Sequence, residues 1–170
     1  MSQNKGESAD MRYYERQMLA CGYRKIAGVD EAGRGPIAGP VVAAAVVLSP
    51  DCCIDDIDDS KKLTPKQRDK MFDYIHNVAL HIGIGIVSSR EIDEINILQA
   101  TCKAMKIALR QIEDHIDICL VDGLPMKNLG YPHKAIIGGD GKSASIAAAS
   151  IIAKVTRDRI MCDYDTVYPV

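Results

Sequence analysis

The chain has 170 residues, 47% of them apolar and 26% charged, with a formal net charge of -2. That suffices for one globular domain with its own core, and the near balance of charge excludes binding a polyanion by bulk charge, so any nucleic-acid site has to be a local basic patch. The polar start MSQNKGESADMRYYERQ lacks an apolar signal core, and no apolar run approaches the roughly 20 residues that span a bilayer, so neither secretion nor a membrane contact is expected.

In chain order, YYERQMLACGY reads as a short helix, and Ile26 to Val29 as a buried strand leading into Asp30. VVAAAVVLSP, from Val41, is a second Val-rich run closed by Pro50 after a short loop of glycine and proline, so the two runs read as a hairpin. DCCIDDIDDSKK is a charged loop. Thr64, Pro65 and Gln67 then supply an N-cap, an N1 proline and a capping-box partner for a helix on which Met71, Phe72, Ile75 and Val78 recur. HIGIGIVSS alternates like a third strand. From Glu91 to about His115, Ile97, Ala100, Ala104, Ala108 and Ile112 repeat at helical spacing and predict one long amphipathic helix. DICLVDG reads as a buried strand ending at Asp122, KAIIGGD as a short strand ending at Asp140, and SIAAASIIAKVTRDRIM as an Ala-rich helix able to pack closely on a sheet. With no internal repeat and no linker, this order predicts a single α/β fold with a mixed sheet.

Two Gly-rich segments invite a nucleotide reading. Gly33-Arg34-Gly35-Pro36-Ile37-Ala38-Gly39 follows a strand, as a dinucleotide fingerprint does, but Pro36 and Pro40 interrupt it and a β run stands where the helix should begin. Gly138 to Ser143 ends in the Gly-Lys-Ser of a phosphate loop, yet Ile136 occupies the position where that motif needs its first glycine. Lys142 and Ser143, just ahead of a helix, remain candidates for contacting a single phosphate.

The acids make a more coherent set. Asp30, Asp122 and Asp140 each fall at the expected C-terminal end of a different strand, the edge of an open α/β sheet where ligand sites form. Each alone is more often a turn or capping residue. Together they need a cation, and Mg²⁺ or Mn²⁺ suits an oxygen-only ligand set. Glu31 follows Asp30 directly, so the two side chains point to opposite faces of a regular strand and reach one site only if the strand ends there.

The aspartates from Asp51 to Asp59 lack the glycine and terminal glutamate of a calcium loop and read as a solvated run, and the four histidines form no zinc pair. The six cysteines show no C-x-x-C spacing and read as reduced thiols of a cytoplasmic protein. Positive charge gathers at Arg34, at Lys61, Lys62, Lys66, Arg68 and Lys70, and at Lys142, Lys154, Arg157 and Arg159. Metal-binding acids flanked by such segments fit phosphoryl transfer on a nucleic acid.

In IAGVDEAGRGPIAGPVVAAAVVL, DSKKLT, GIGIVSSREIDEINILQAT, LVDG and GDGKSASIAAASIIAKVTRDR, the chain resembles the ribonuclease HII (type 2 ribonuclease H) family, from about Tyr14 to its last residue. The resemblance implies a ribonuclease H-like fold, a mixed central β-sheet flanked by helices. It implies a Mg²⁺- or Mn²⁺-dependent endonuclease that cuts the RNA strand of RNA–DNA hybrids, or single ribonucleotides embedded in duplex DNA, leaving a 5′-phosphate and a 3′-hydroxyl. The family's four acidic metal ligands fall on Asp30, Glu31, Asp122 and Asp140. Its loop that senses the 2′-hydroxyl falls on Gly33, Arg34 and Gly35, and its phosphate-holding residues on Ser60, Lys61 and Asn96. One ion would orient the attacking water and a second would stabilise the departing 3′ oxygen.

The chain departs from the family at Gly138, where a lysine is common, and in not containing the glycine-rich segment whose tyrosine stacks at the junction ribose. Neither Tyr164 nor Tyr168 matches that tyrosine. The expectation is therefore a single catalytic domain over residues 1–170, monomeric, without the family's C-terminal segment. The alternative is a nucleic-acid-binding module that does not cleave.

Overall fold

The computed structural model describes residues 10–36, 38–52 and 63–167. Strand β1 (Ile26–Ala32) and strand β2 (Val41–Leu48) form the expected hairpin, antiparallel, with Asp30 opposite Ala44 and Glu31 opposite Ala43. Strand β3 (Ala79–Val87) pairs antiparallel with the outer side of β2. On the other side of β1, β4 (Ile118–Asp122) runs parallel to it, and β5 (His133–Ile136) runs parallel to β4. The sheet is thus mixed, in the order β3-β2-β1-β4-β5.

Helices cover both faces. Helix α4 (Ile97–Arg110) packs Ala104, Met105 and Ala108 on the face carrying Ala27, Val29, Ala43, Ala45 and Val121. Helix α5 (Ala144–Val167) covers the face carrying Ala44 and Val46, and helix α2 (Pro65–Val78) packs beside it. Burial on both faces is why β1 and β2 read as unbroken apolar runs rather than as alternating strands. Contact is close because the facing residues are small. A Cβ at Gly28 would run into the Ser145 backbone of α5, and at Gly83 or Gly85 it would run into the Ala108 or Ala104 carbonyl of α4.

Helix α1 (Tyr13–Ala20) lies at the start of α5: the Ala144 N–H donates to the Met11 carbonyl at 2.8 Å, and the Glu15 carboxylate accepts from the Ser145 N–H at 3.0 Å. An acid at a helix N-terminus meets both the unpaired N–H groups and the positive end of the dipole. The Thr64–Gln67 capping box opens α2 as its sequence predicts. Gln111 closes the outer edge of β3, its amide bonding the Ile84 carbonyl at 2.6 Å and N–H at 3.1 Å, so one side chain stands in for a neighbouring strand. Among the described residues no helix is long and apolar enough to cross a membrane.

Three sequence expectations need correction. The single helix from Glu91 is two, α3 (Ser89–Ile95) and α4, separated at Asn96, whose φ is +68° and whose side-chain oxygen accepts from the Leu98 and Gln99 N–H groups. Asparagine tolerates the left-handed region, so apolar spacing carries on across a real break. The KAIIGGD strand stops at Ile136, and Asp140 lies instead in a single 3₁₀ turn, Gly139–Gly141. Strand β1 does not end at Asp30 but pairs with β2 as far as Ala32. The charged loop DCCIDDIDDSKK lies almost wholly outside the described residues.

Gly28→Ala forces α5 off β1, because the obstacle is backbone and cannot rotate away. We expect a loss of about 1–3 kcal/mol or more, read as a lower Tm and a lower denaturant midpoint; an unchanged midpoint would contradict the close packing.

Candidate active site

Strands β1 and β4 stay paired up to Val29 and Val121, and the next residue on each is an aspartate. Asp30 follows Gly28 by two positions and so lies on the α5 face, where the Ser150 hydroxyl of α5 donates to it. The Glu31 N–H donates to the Asp30 carboxylate at 2.7 Å. Asp122, two residues after Leu120 of the α5-facing core, also lies on that face, and accepts from the Gly139 N–H at 2.6 Å. The next residue is Asp140, so one backbone bond ties Asp122 to the turn that carries the third aspartate. Asp30 and Asp140 are 5% and 3% exposed.

Glu31 takes the opposite side of β1, the α4 side, as strand alternation requires. One of its oxygens is 3.0 Å from the Arg34 guanidinium, while the other is buried with no hydrogen-bond partner. Burial raises the Asp30 pKa well above the ordinary carboxylate value, and repulsion from Glu31 and Asp122 adds to this against the lowering hydrogen bonds. Burial also raises Glu31, opposed by Arg34 and assisted by Asp122. Asp30, Glu31 and Asp122 therefore feel one another's charge across the end of β1, and the protein does not fully neutralise them.

Oxygen donors without histidine or cysteine suit a hard divalent cation. Among the described residues no three such side chains already stand together as a cage for an ion. Mg²⁺ does not require one, since it keeps several waters and is held by one or two carboxylates together with substrate phosphates. The buried, unpartnered oxygen of Glu31 and the raised acids are the observations that fit such an ion.

The glycines of the β1–β2 loop serve different ends. Gly33 has φ +106°, and a Cβ there would meet the Pro40 carbonyl at 2.5 Å and the Arg157 guanidinium at 2.6 Å, so its role is internal. Gly35 has nothing within 4 Å of where a Cβ would be, and it alone of the pair leaves room for an approaching ligand. Arg34, between them, is exposed.

The candidate phosphate contacts divide. Lys142 is exposed, its ammonium on the Ile137 carbonyl at 2.7 Å. Ser143 is fully buried and donates to Glu15 at 2.6 Å, which withdraws it from any phosphate arriving from solvent. Asn96 commits its side-chain oxygen to capping α4, leaving only its amide NH₂ to donate outward. Ser60 and Lys61 lie outside the described residues. Of the basic clusters, Lys154 pairs with Asp158, Arg159 lies over the Phe72 ring, and Arg157 is buried, so the last is no surface contact for a polyanion.

Sequence reading missed Glu15 and Ser150. Ser150 carried a usable signal, a hydroxyl inside the apolar run of a helix expected to pack on a sheet. Glu15 carried none, since its partners lie 128 and 130 residues away.

The family model for ribonuclease HII matches residues 27–168. A ribonuclease HII of Acetivibrio thermocellus is 54% identical over 161 residues, covering 95% of this chain and 63% of that protein. One of Caldanaerobacter subterraneus is 51% identical over 160 residues, covering 94% of this chain and 66% of that protein. The chain thus spans slightly less than two thirds of the length of these two relatives. The crystal structure of the ribonuclease H2 of Pyrococcus horikoshii superposes with a TM-score of 0.73 at 31% identity, over 84% of this chain and 76% of that one.

An acid whose pKa is higher folded than unfolded holds its proton more tightly in the native state, so stability falls as pH rises from the ordinary carboxylate range through the raised value. Asp30→Asn removes that charge and keeps an acceptor for Ser150. In metal-free protein at pH 7 the variant should melt higher than wild type, by about 2–4 °C per kcal/mol relieved, and the gap should close below about pH 4, where the acid is protonated in both states. A variant that melts lower at pH 7 would contradict the unneutralised site.

Proposed function

The chain belongs to the ribonuclease HII family, and we propose that it is a metal-dependent endonuclease that hydrolyses the RNA strand of RNA–DNA hybrids and cuts at ribonucleotides embedded in duplex DNA. The observation that carries this reading is the group of mutually repelling acids, Asp30, Glu31 and Asp122, at the end of β1, with Asp140 on the turn hydrogen-bonded to Asp122. Mg²⁺ or Mn²⁺, held by these four carboxylates, would polarise the scissile phosphate and stabilise the departing 3′ oxygen.

The chain's own groups do the positioning. The Ser150 hydroxyl and the Glu31 N–H stabilise Asp30 as the carboxylate despite its burial. The Gly139 N–H aims Asp122. Arg34 balances Glu31 and has further donors for a backbone phosphate. Gly35 leaves space beside it for a ribose, whose 2′-hydroxyl separates RNA from DNA. Water adds to phosphorus as the bond to the 3′ oxygen breaks, giving a 5′-phosphate and a 3′-hydroxyl. Lys142 and the amide of Asn96 are available to phosphates further along the strand. The five described cysteines are all free thiols, which fits a cytoplasmic protein.

Incubation of the protein with a labelled RNA–DNA hybrid and Mg²⁺ or Mn²⁺ should give 5′-phosphorylated fragments, and a chelator should stop the reaction. Asp122→Asn should lower the rate by at least about 100-fold, and Ser150→Ala, which removes a supporting bond, by roughly 10–100-fold. Hybrid binding without cleavage under all these conditions would replace the nuclease with a non-cleaving nucleic-acid module.

A further inference from the structure

Arg157, on α5, is 6% exposed, and no carboxylate pairs with it among the described residues. Its Nε donates to the Pro40 carbonyl at 3.0 Å and its Nη2 to the Ala38 carbonyl at 2.8 Å. A buried cation held only by carbonyl dipoles is expensive to keep, and a methionine would fill the same space without that penalty. What the guanidinium does that a methionine cannot is hold two loop carbonyls at fixed angles through a planar fork.

The other flank of the same loop rests on the same group, since Gly33 lies so close to the Arg157 guanidinium that it admits no side chain. Met161, one turn further along α5, stands where a side chain on Gly39 would have to go, with the Arg157 guanidinium beside it. Between these flanks stand Arg34 and Gly35. Ser150, seven residues before Arg157 and so on the same side of α5, holds Asp30. One rigid helix therefore holds both Asp30 and the loop that follows β1.

We propose that Arg157 is a positioning residue: its buried guanidinium fixes the height of Arg34 and Gly35 above the strand-end carboxylates, and thereby sets how well the loop discriminates a ribose from a deoxyribose, without touching nucleic acid itself. The discrimination half of this rests on the nuclease reading above; the anchoring half does not. A bond to a 2′-hydroxyl weakens steeply with misalignment, so a loosened loop loses discrimination before it loses general affinity for phosphates.

The test uses Arg157→Met, Arg157→Lys, Gly39→Ala and Arg34→Ala, each first shown to melt well above the assay temperature. Trypsin should cut after Arg34 of the native protein at least 10-fold faster in Arg157→Met, with Arg157→Lys in between, because an ammonium replaces part of the fork. Gly39→Ala puts a methyl group against Met161 Sδ and beside Arg157 Nη2 at a positive φ, which displaces the loop from the Arg157 fork and should give an acceleration of the same sign, so the anchor remains testable even if Arg157→Met does not fold. Binding is then measured by fluorescence anisotropy in Ca²⁺ at several salt concentrations, on a hybrid and on the matching DNA duplex. Arg157→Met, or Gly39→Ala in its place, should lower the hybrid-to-DNA affinity ratio several-fold at an unchanged salt slope, whereas Arg34→Ala should reduce the slope by about one. An unchanged tryptic rate, or a slope in Arg157→Met that falls by about one, overturns the proposal. Absence of any hybrid preference in the wild type would instead count against the nuclease reading and remove the discrimination half, while the tryptic rates still decide the anchor.

Discussion

Helix α5 approaches β1 so closely that a methyl group at Gly28 would strike the Ser145 backbone. The support of Asp30 and of the β1–β2 loop follows from that contact. Because the helix lies flush on the sheet, the short side chain of Ser150 reaches Asp30, and the longer one of Arg157, two turns on, reaches the carbonyls of the β1–β2 loop. At the other end Glu15 seats the start of the helix through Ser143 and Ser145, next to the turn that bears Asp140. Alanine and glycine on both surfaces permit this distance. Larger residues would hold the helix off, and the hydrogen bonds would lengthen beyond use.

Most of the core is apolar and indifferent to pH, and apart from the partly buried Glu15 and the buried Arg157 its buried charge lies at one edge. Asp30 is buried and Glu31 largely so; the charge of Glu31 adds to the reluctance of Asp30 to ionise, and that of Asp122 adds to the reluctance of both. A structure selected for stability alone would not keep this arrangement, whereas one that binds a divalent ion and a phosphate diester recovers the cost when both arrive. The partial neutralisation already present is consistent with that: one hydroxyl and one N–H on Asp30, one N–H on Asp122, one guanidinium on Glu31. These orient the carboxylates without saturating them.

The loop between β1 and β2 shows how one composition serves two purposes. Gly33 and Gly39 are required by positive φ and by the crowding of Arg157 and Met161, which is architecture. Gly35 has no described neighbour within 4 Å of where a Cβ would stand, so no packing among the described residues requires its missing side chain. In the sequence the three are indistinguishable. Arg157 likewise reads as one more surface cation in TRDR until its burial shows that it faces inward.

What the sequence determined by itself was local. The hairpin runs, the Thr64 capping box, the strand ending at Asp122 and the Ala-rich helix were legible because period, cap chemistry and residue size act over a few neighbours. Asp122 was legible at the end of its strand, whereas the four acids as a set were expected from a resemblance covering most of the chain; Asp140 lies on a turn and β1 runs on past Asp30 to Ala32. The left-handed break at Asn96 and the 3₁₀ turn under Asp140 were not legible, because an asparagine or a glycine admits several backbone states and only packing selects one. The tertiary structure alone decided which polar residues face inward: Ser143 to Glu15, Ser150 to Asp30, and Arg157 to Ala38 and Pro40. All of these pairs lie more than a hundred residues apart, so their side chains meet only after sheet and helix have closed on each other.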